Sequence, residues 1–294
     1  MNILFVFCEG LHDAHFIARV LSVKDENDSK KYKRSKWRIK EFPKPLSGFL
    51  KRLSDNNKLE TIAIGEYVPF MLPVASLVNT ENDEPNAKIN ELVLVFKTDG
   101  KDNIQYTTEL LGMLGDVLSQ DVRGIGQGGN NNNAFLFFYD ADSRGRKKTI
   151  EYFKKNYANF FGDLDGLDAE PWVTTDKGFR VGLYVFTGDD NNVGTLEDIL
   201  INLFEMKNKV LVDSADCFIT KHSYNKCDTV ESKANISKSV LTICGQTEKE
   251  RAGASLAAVI SHCDILSGAF DFSDGKIVWA EIVNMIDGAF PSQP

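Results

Sequence analysis

The chain lacks the features that define membrane-spanning, secreted and zinc-clamped proteins. No segment approaches the roughly 20 consecutive apolar residues needed to cross a bilayer. The N-terminal apolar stretch is short and has no basic n-region, so we expect a strand there rather than a signal peptide. Only five of the 294 residues are cysteines, and they form no CxxC pair. These absences predict a reduced, cytoplasmic protein without a membrane partner or a structural zinc site.

An excess of positive charge is also missing. The 34 Lys and Arg residues are outnumbered by 42 Asp and Glu residues, which gives a formal net charge of -8. An acidic total argues against a protein that coats nucleic acid by bulk charge, although an enzyme with a local basic patch remains compatible with it.

One such basic patch lies at residues 30–40, KKYKRSKWRIK, where seven of eleven residues are Lys or Arg. Cations with interleaved aromatic side chains are typical of surfaces that follow a nucleic-acid backbone and stack on its bases. The candidates for nucleic-acid binding here are Lys31, Lys33, Arg34 and Trp37, with Tyr32 as a second stacking side chain. A solvated loop leading into a strand is an equal alternative.

Apolar strand-like runs alternate with segments of helical periodicity along much of the chain. We predict strands at 2–8, 37–42, 91–100, 134–142 and 181–188, and helices near 13–21, 103–119, 147–161 and from 194. This alternation predicts an α/β fold with a mainly parallel sheet flanked by helices. Residues 43–90 give mixed signals and are predicted to be irregular, whereas the chain beyond about 207 is predicted to be mostly helical.

Acidic residues follow two of the most apolar predicted strands. Glu9 and Asp13 come after the first strand, and Asp140 and Asp142 end a later one. Ligands of open α/β sheets bind beyond the carboxyl ends of the strands, and residues i and i+2 of a strand share a face unless the backbone turns. Carboxylates about 5 Å apart repel by roughly 3 kcal/mol per pair at an effective dielectric near 20. Such a cluster must be protonated, solvated or neutralised by a cation. If a cation is bound, oxygen ligands without nearby His or Cys favour Mg²⁺ or Mn²⁺.

This arrangement resembles the TOPRIM (topoisomerase–primase) domain, whose motif is a Glu after the first strand and a DxD after a later strand. The segment from Gly194 to Leu200, GTLEDIL, is similar to the Gly-x-Leu-Glu segment of TOPRIM proteins related to the OLD (overcoming lysogenisation defect) nucleases and of small stand-alone TOPRIM proteins of uncharacterised function. The resemblance covers residues 1–22 and 134–205. It implies a TOPRIM-like domain at 1–205, with an insertion at about 36–130, and a helical C-terminal extension at 206–294.

The resemblance also implies roles for individual residues. Glu9 would be a general acid/base or a metal ligand, and Lys238 would match a late catalytic lysine. One or two Mg²⁺ or Mn²⁺ ions would be held by Glu9, Asp13, Asp140, Asp142 and Glu197. The implied activity is metal-dependent phosphodiester hydrolysis of DNA or RNA, in phage defence or DNA repair. The resemblance to OLD-type systems and to phage-defence effectors with TOPRIM domains also implies a separate ATPase partner; the chain itself has no GxxxxGK[ST] motif.

Several of these assignments have competing interpretations. Arg144, Arg146 and Lys147 follow the DxD and are candidates for phosphate contacts, but they also fit a solvated turn. The TOPRIM fold is compatible with a non-catalytic module that binds nucleic acid or metal. A third alternative is an α/β enzyme for small phosphorylated metabolites.

Overall fold

The structure is a computed structural model that describes residues 1–22, 32–54, 72–81, 88–124, 133–188, 192–222, 230–247, 252–262 and 277–290. Its strands are β1 (Asn2–Cys8), β2 (Lys33–Arg34), β3 (Ala75–Thr80), β4 (Ile89–Lys97), β5 (Asn133–Asp140), β6 (Trp172–Thr174) and β7 (Arg180–Phe186). Its helices are α1 (Leu11–Ser22), α2 (Leu46–Leu53), α3 (Ile104–Gly124), α4 (Arg146–Phe161), α5 (Leu196–His222), α6 (Val230–Gln246), α7 (Leu256–His262) and α8 (Ile277–Asp287). Within these ranges, no helix is both long enough and apolar enough to cross a membrane.

The seven described strands form one sheet in the order β2-β3-β4-β1-β5-β7-β6. β1 lies between β4 and β5 and runs parallel to both, with Cys8 opposite Lys97 on one side and Phe138 on the other. β2 and β3 pair antiparallel beside β4, and β6 pairs antiparallel with β7. The predicted α/β fold with a parallel sheet centre is confirmed.

The chain forms two compact units. The first comprises Met1–Phe138, Phe153–Tyr184 and Ile282–Pro294, and it contains most of the sheet. The second comprises Tyr139–Tyr152 and Val185–Glu281, and it is mainly helical. Helix α5 runs past residue 205, where we predict the first domain to end, and its backbone is non-helical at Asn208.

Aromatic side chains fill the core of the first unit. The ring of Phe7 stacks between Phe96 and Phe137, with ring centroids 5.5 and 4.8 Å away. On α4, Phe153 packs edge-on against Phe137 at 4.8 Å. All four rings are fully buried. Each aromatic pair contributes about 0.5–1.5 kcal/mol beyond its buried area, so the continuous apolar runs of β1 and β5 give the sheet centre a rigid base.

The end of α8 is fixed to β6 and β7 by two side chains. Arg180 donates from Nε to the carbonyl of Ala289 at 2.8 Å and from Nη2 to the carbonyl of Gly288 at 2.6 Å. Trp172 donates from Nε1 to the carbonyl of Met285 at 2.8 Å, and its ring lies 5.3 Å from the Arg180 guanidinium carbon. Partial burial lowers the pKa of Arg180. Trp172 thus satisfies a carbonyl of the last turn of α8, which has no intrahelical donor, and Arg180 binds the two residues that follow the helix.

Two of the secondary-structure predictions differ from the structure. Residues 37–42 are not a strand, because Ile39–Glu41 forms a 3₁₀ turn. Ile39 and Phe42 are both buried, and their i, i+3 spacing matches that turn rather than strand alternation. The segment 43–90, which the sequence predicts to be irregular, contains both α2 and β3. The buried face of α2 carries Leu46, Phe49 and Leu50 at helical spacing.

Candidate functional site

Glu9 lies directly after β1 and forms an ion pair with a lysine that the sequence analysis missed. Its Oε1 is 3.2 Å from Nζ of Lys101. The Lys101 side chain is only 5% exposed, and that of Glu9 is 16% exposed. A buried ammonium requires charge compensation, and Glu9 supplies it. The one sequence feature that points to Lys101 is its position four residues after Lys97, the last residue of β4.

The turn after β4 sets the position of Lys101. Thr98 donates to the carbonyl of Cys8 from its backbone N–H at 2.8 Å and from its hydroxyl at 3.1 Å. The N–H of Gly100 donates to the carbonyl of Glu9 at 2.8 Å. Asp99 and Gly100 have positive φ angles of 54° and 105°. These hydrogen bonds tie the turn that carries Lys101 to the backbone of Cys8 and Glu9.

Asp13 lies near Glu9 but has a structural task of its own. Its Oδ2 accepts a hydrogen bond from the N–H of Gly10 at 2.7 Å, which is half of a capping box at the start of α1. Desolvation raises the pKa of Cys8 well above its usual value, and the negative charges of Asp13 and Glu9 raise it further. Cys8 thus stays a neutral thiol beneath two carboxylates.

In the second unit, Asp140 is bonded to the beginning of α5. Its Oδ1 accepts a hydrogen bond from the N–H of Leu196 at 2.9 Å. Thr195 and Asp198 add a local cap, because Asp198 Oδ2 accepts from the N–H of Thr195 at 2.8 Å. Two carboxylates therefore serve the N-terminus of α5, where the helix macrodipole favours negative charge.

The backbone turns between Asp140 and Asp142. Asp142 lies beyond the end of β5 with a φ of 48°, and it exchanges two backbone hydrogen bonds with Gly194, at 2.8 and 3.1 Å. Strand alternation therefore does not relate the two aspartates. Gly194 has a φ of 126°, and a Cβ there would lie 2.3 Å from the backbone nitrogen of Gly188, so only glycine fits.

Glu197 and Lys238 form an ion pair in the second unit. Lys238 Nζ is 3.7 Å from Glu197 Oε1. The Glu197 side chain is 4% exposed, whereas that of Lys238 is 42% exposed. The pair therefore joins a buried carboxylate to a cation that still contacts solvent.

The basic residues after the DxD differ in their surroundings. Arg146 and Lys147 are exposed in the first turn of α4. Arg144 is half-buried, and its guanidinium lies 4.4 Å from the centre of the Tyr152 ring. The side chains of Arg146 and Lys147 are accessible to a phosphate, while Arg144 packs on the protein.

The basic segment is described from residue 32 onward, so Lys31 lies outside the described residues. Lys33 and Arg34 form β2 and are exposed, and Trp37 is half-buried against Phe42. Tyr32 is buried and donates its hydroxyl to Glu91, so the expectation that it stacks on a base is wrong. Trp37 stays the aromatic candidate.

The donor set at these positions consists of carboxylates, the ligand type of Mg²⁺ and Mn²⁺. Among the described residues, no group of three or more His, Cys, Asp or Glu side chains is arranged to hold a metal ion. Glu9 and Asp13 belong to the first unit, whereas Asp140, Asp142 and Glu197 belong to the second. Their joint action on a metal stays a prediction.

Comparisons with known proteins bear on the fold. No protein-family model matches the chain, and no curated protein matches it. The chain is similar to the crystal structure of a hypothetical protein from Pyrococcus horikoshii OT3, with 15% sequence identity, 98% of each chain covered and a TM-score of 0.50. At this level of identity, the similarity extends to the fold alone.

Proposed function

We propose that the chain is a nuclease that hydrolyses phosphodiester bonds of DNA or RNA with Mg²⁺ or Mn²⁺. The observation that carries the proposal is the order of the central strands. β1 and β5 are adjacent and parallel, with Cys8 opposite Phe138. Glu9 follows β1 directly, and Asp140 is the last residue of β5. Acidic residues at the carboxyl ends of neighbouring parallel strands fit the usual location of ligand sites in α/β sheets.

The residues suit distinct steps of hydrolysis. Asp140 and Asp142 would hold the divalent cation, which activates water and neutralises phosphate charge when bound. Glu9 would bind a divalent cation or transfer a proton, and Lys101 pairs with its carboxylate. Glu197 would serve a second cation beside Lys238. Arg146 and Lys147 would contact phosphates of a polymeric substrate.

The experiment pairs cleavage with metal binding. Single- and double-stranded DNA and RNA are incubated with the full chain and Mg²⁺ or Mn²⁺, and Mn²⁺ binding is measured by calorimetry. We expect cleavage that Glu9→Gln and Asp140→Asn abolish. Asp165→Asn is the matched control, because Asp165 is an exposed carboxylate paired with Lys154. Intact substrates together with Mn²⁺ binding that neither variant alters would refute the proposal, with or without an ATPase partner.

A non-catalytic module that binds nucleic acid is the second candidate, and it has its own support. Three of the acidic residues already have partners within the protein: Asp13 bonds to Gly10, Asp140 bonds to Leu196, and Glu9 pairs with Lys101. This candidate predicts that oligonucleotides bind without turnover, and that Asp140→Asn leaves their affinity unchanged.

A further inference from the structure

Lys101 is held by its turn beside Glu9, and the proposed function uses it only as the partner of that carboxylate. Three hydrogen bonds from Thr98 and Gly100 fix its turn to Cys8 and Glu9. Its ammonium lies 3.2 Å from Glu9 Oε1 and is almost entirely buried. An ammonium loses favourable hydration when it is buried, so the fold carries a cost that an apolar side chain at this position would not incur.

The contact has an electrostatic consequence for any cation that Glu9 binds. A divalent ion lies about 2.1 Å from a carboxylate oxygen, so an ion on Glu9 would be roughly 5 Å from the Lys101 ammonium. Two cations at that separation repel each other, even with the screening of bulk water. Lys101 therefore makes Glu9 a weaker ligand for a metal while it compensates the carboxylate.

We infer that Lys101 is the resident counter-cation of Glu9, and that it competes with the divalent ion for this carboxylate. This inference rests on the proposed function. The ammonium compensates Glu9 in the absence of metal, and its charge would oppose a divalent ion held by the same carboxylate. Lys101 is thus a positioning residue that sets the metal concentration at which the site fills.

The inference predicts effects of opposite sign on stability and on metal binding. Without added metal, Lys101→Met should lower the melting temperature because it leaves the Glu9 carboxylate without this counter-ion. The same variant should bind Mn²⁺ at least about tenfold more tightly, the size expected from water-like screening. Mn²⁺ should then raise the melting temperature of Lys101→Met more than that of the wild type. A purely structural lysine would not produce tighter Mn²⁺ binding.

The experiment is Mn²⁺ calorimetry and thermal melting on the full chain with five variants. Lys101→Gln repeats the loss of charge with a polar side chain, in case Lys101→Met does not fold, and Lys101→Arg keeps the charge. Lys97→Met is the matched control, since Lys97 pairs with Asp99 on the same turn, 2.7 Å away. The fifth is the double variant Glu9→Gln with Lys101→Met, which should lose the gain in Mn²⁺ affinity.

The outcomes separate the two proposals. Mn²⁺ binding that depends on Glu9 but is unchanged or weaker in Lys101→Met and Lys101→Gln would overturn the inference and leave the proposed function standing. Absence of Mn²⁺ binding in the wild type and in every Lys101 variant would overturn both. Tighter binding in the two uncharged variants, with Lys101→Arg and Lys97→Met close to the wild type, would support the inference.

Discussion

Asp140 at the end of β5 accepts the backbone N–H of Leu196 at 2.9 Å and so caps the first turn of α5. A predicted metal ligand therefore also has a structural role, and two substitutions separate the roles.

Asp140→Ala removes the acceptor and should lower the free energy of unfolding by about 1 kcal/mol, as loss of a helix cap does. Asp140→Asn keeps an acceptor oxygen without the charge, so its stability should stay close to that of the wild type. Urea denaturation measures both variants, and we expect both to lose Mn²⁺ affinity. Equal stability losses would show that the carboxylate charge, rather than the acceptor, stabilises the cap.

Gly194 should tolerate no side chain. Its φ of 126° is strained for other residues, and a Cβ would approach the nitrogen of Gly188 to 2.3 Å. Gly194→Ala should lower the free energy of unfolding by about 2 kcal/mol or more. The substitution should also disrupt the two backbone hydrogen bonds that Gly194 exchanges with Asp142. Gly112→Ala is the control, because a Cβ at Gly112, within α3, meets no atom within 4 Å. That variant should gain up to about 1 kcal/mol from helix propensity. Equal effects of the two variants would contradict the prediction.

The sequence predicts the central strands well because they are buried on both faces. The uninterrupted apolar run of β1 is unambiguous, and so is that of β5. The shorter elements escaped prediction for different reasons. β6 has only three residues, and a run that short carries no periodicity. The alternating pattern of residues 37–42 predicts a strand. In the structure, the N–H of Phe42 donates to the carbonyl of Ile39, three residues earlier, and closes a 3₁₀ turn.

The candidate site was predictable only in part. Glu9 and Asp140 follow apolar strands, so their positions could be read from the chain. The pairing of Glu9 with Lys101 depends on strand order, since it requires β4 beside β1, and the sequence does not specify that order. The turn at Asp142 was equally hidden, because its partner Gly194 lies 52 residues further along the chain.

Glu197 should be replaceable without loss of the fold, but not without loss of the proposed activity. Its buried carboxylate pairs with Lys238 at 3.7 Å, and neutralising one member of such a pair removes a desolvation cost along with the attraction. Glu197→Gln should therefore change the stability by less than about 1 kcal/mol, partly because Lys238 is exposed to solvent. Cleavage should fall. Glu205→Gln is the matched control on the same helix, as Glu205 pairs with Lys209 at 3.6 Å. Full activity in Glu197→Gln would exclude a metal role for this carboxylate.

Tyr32 should make the protein sensitive to alkaline pH. Desolvation raises the pKa of Tyr32 far above 10, and the charge of Glu91 and its hydrogen bond raise it further. The folded state keeps the phenol proton where the unfolded chain loses it, so this contribution is complete below about pH 10 and declines as the pH rises further. Tyr32→Phe should flatten that decline in urea denaturation between about pH 9 and 11. At neutral pH it should cost about 1–3 kcal/mol, because Glu91 loses this donor. An unchanged alkaline slope would contradict the assignment.

Arg146 and Lys147 should weaken the helix that carries them while they strengthen binding of nucleic acid. Both are exposed in the first turn of α4, where the helix dipole disfavours positive charge by about 0.3–1 kcal/mol per residue at low salt. Reversing both charges, Arg146→Glu with Lys147→Glu, should therefore raise the stability slightly.

The affinity of the same double variant for a labelled oligonucleotide should fall by roughly tenfold or more. The slope of log affinity against log salt should drop by about 1 for each lost phosphate contact. Lys207→Glu, at an exposed lysine of α5, should leave that slope unchanged. A more stable variant with unaltered oligonucleotide affinity would show that this turn is only solvated.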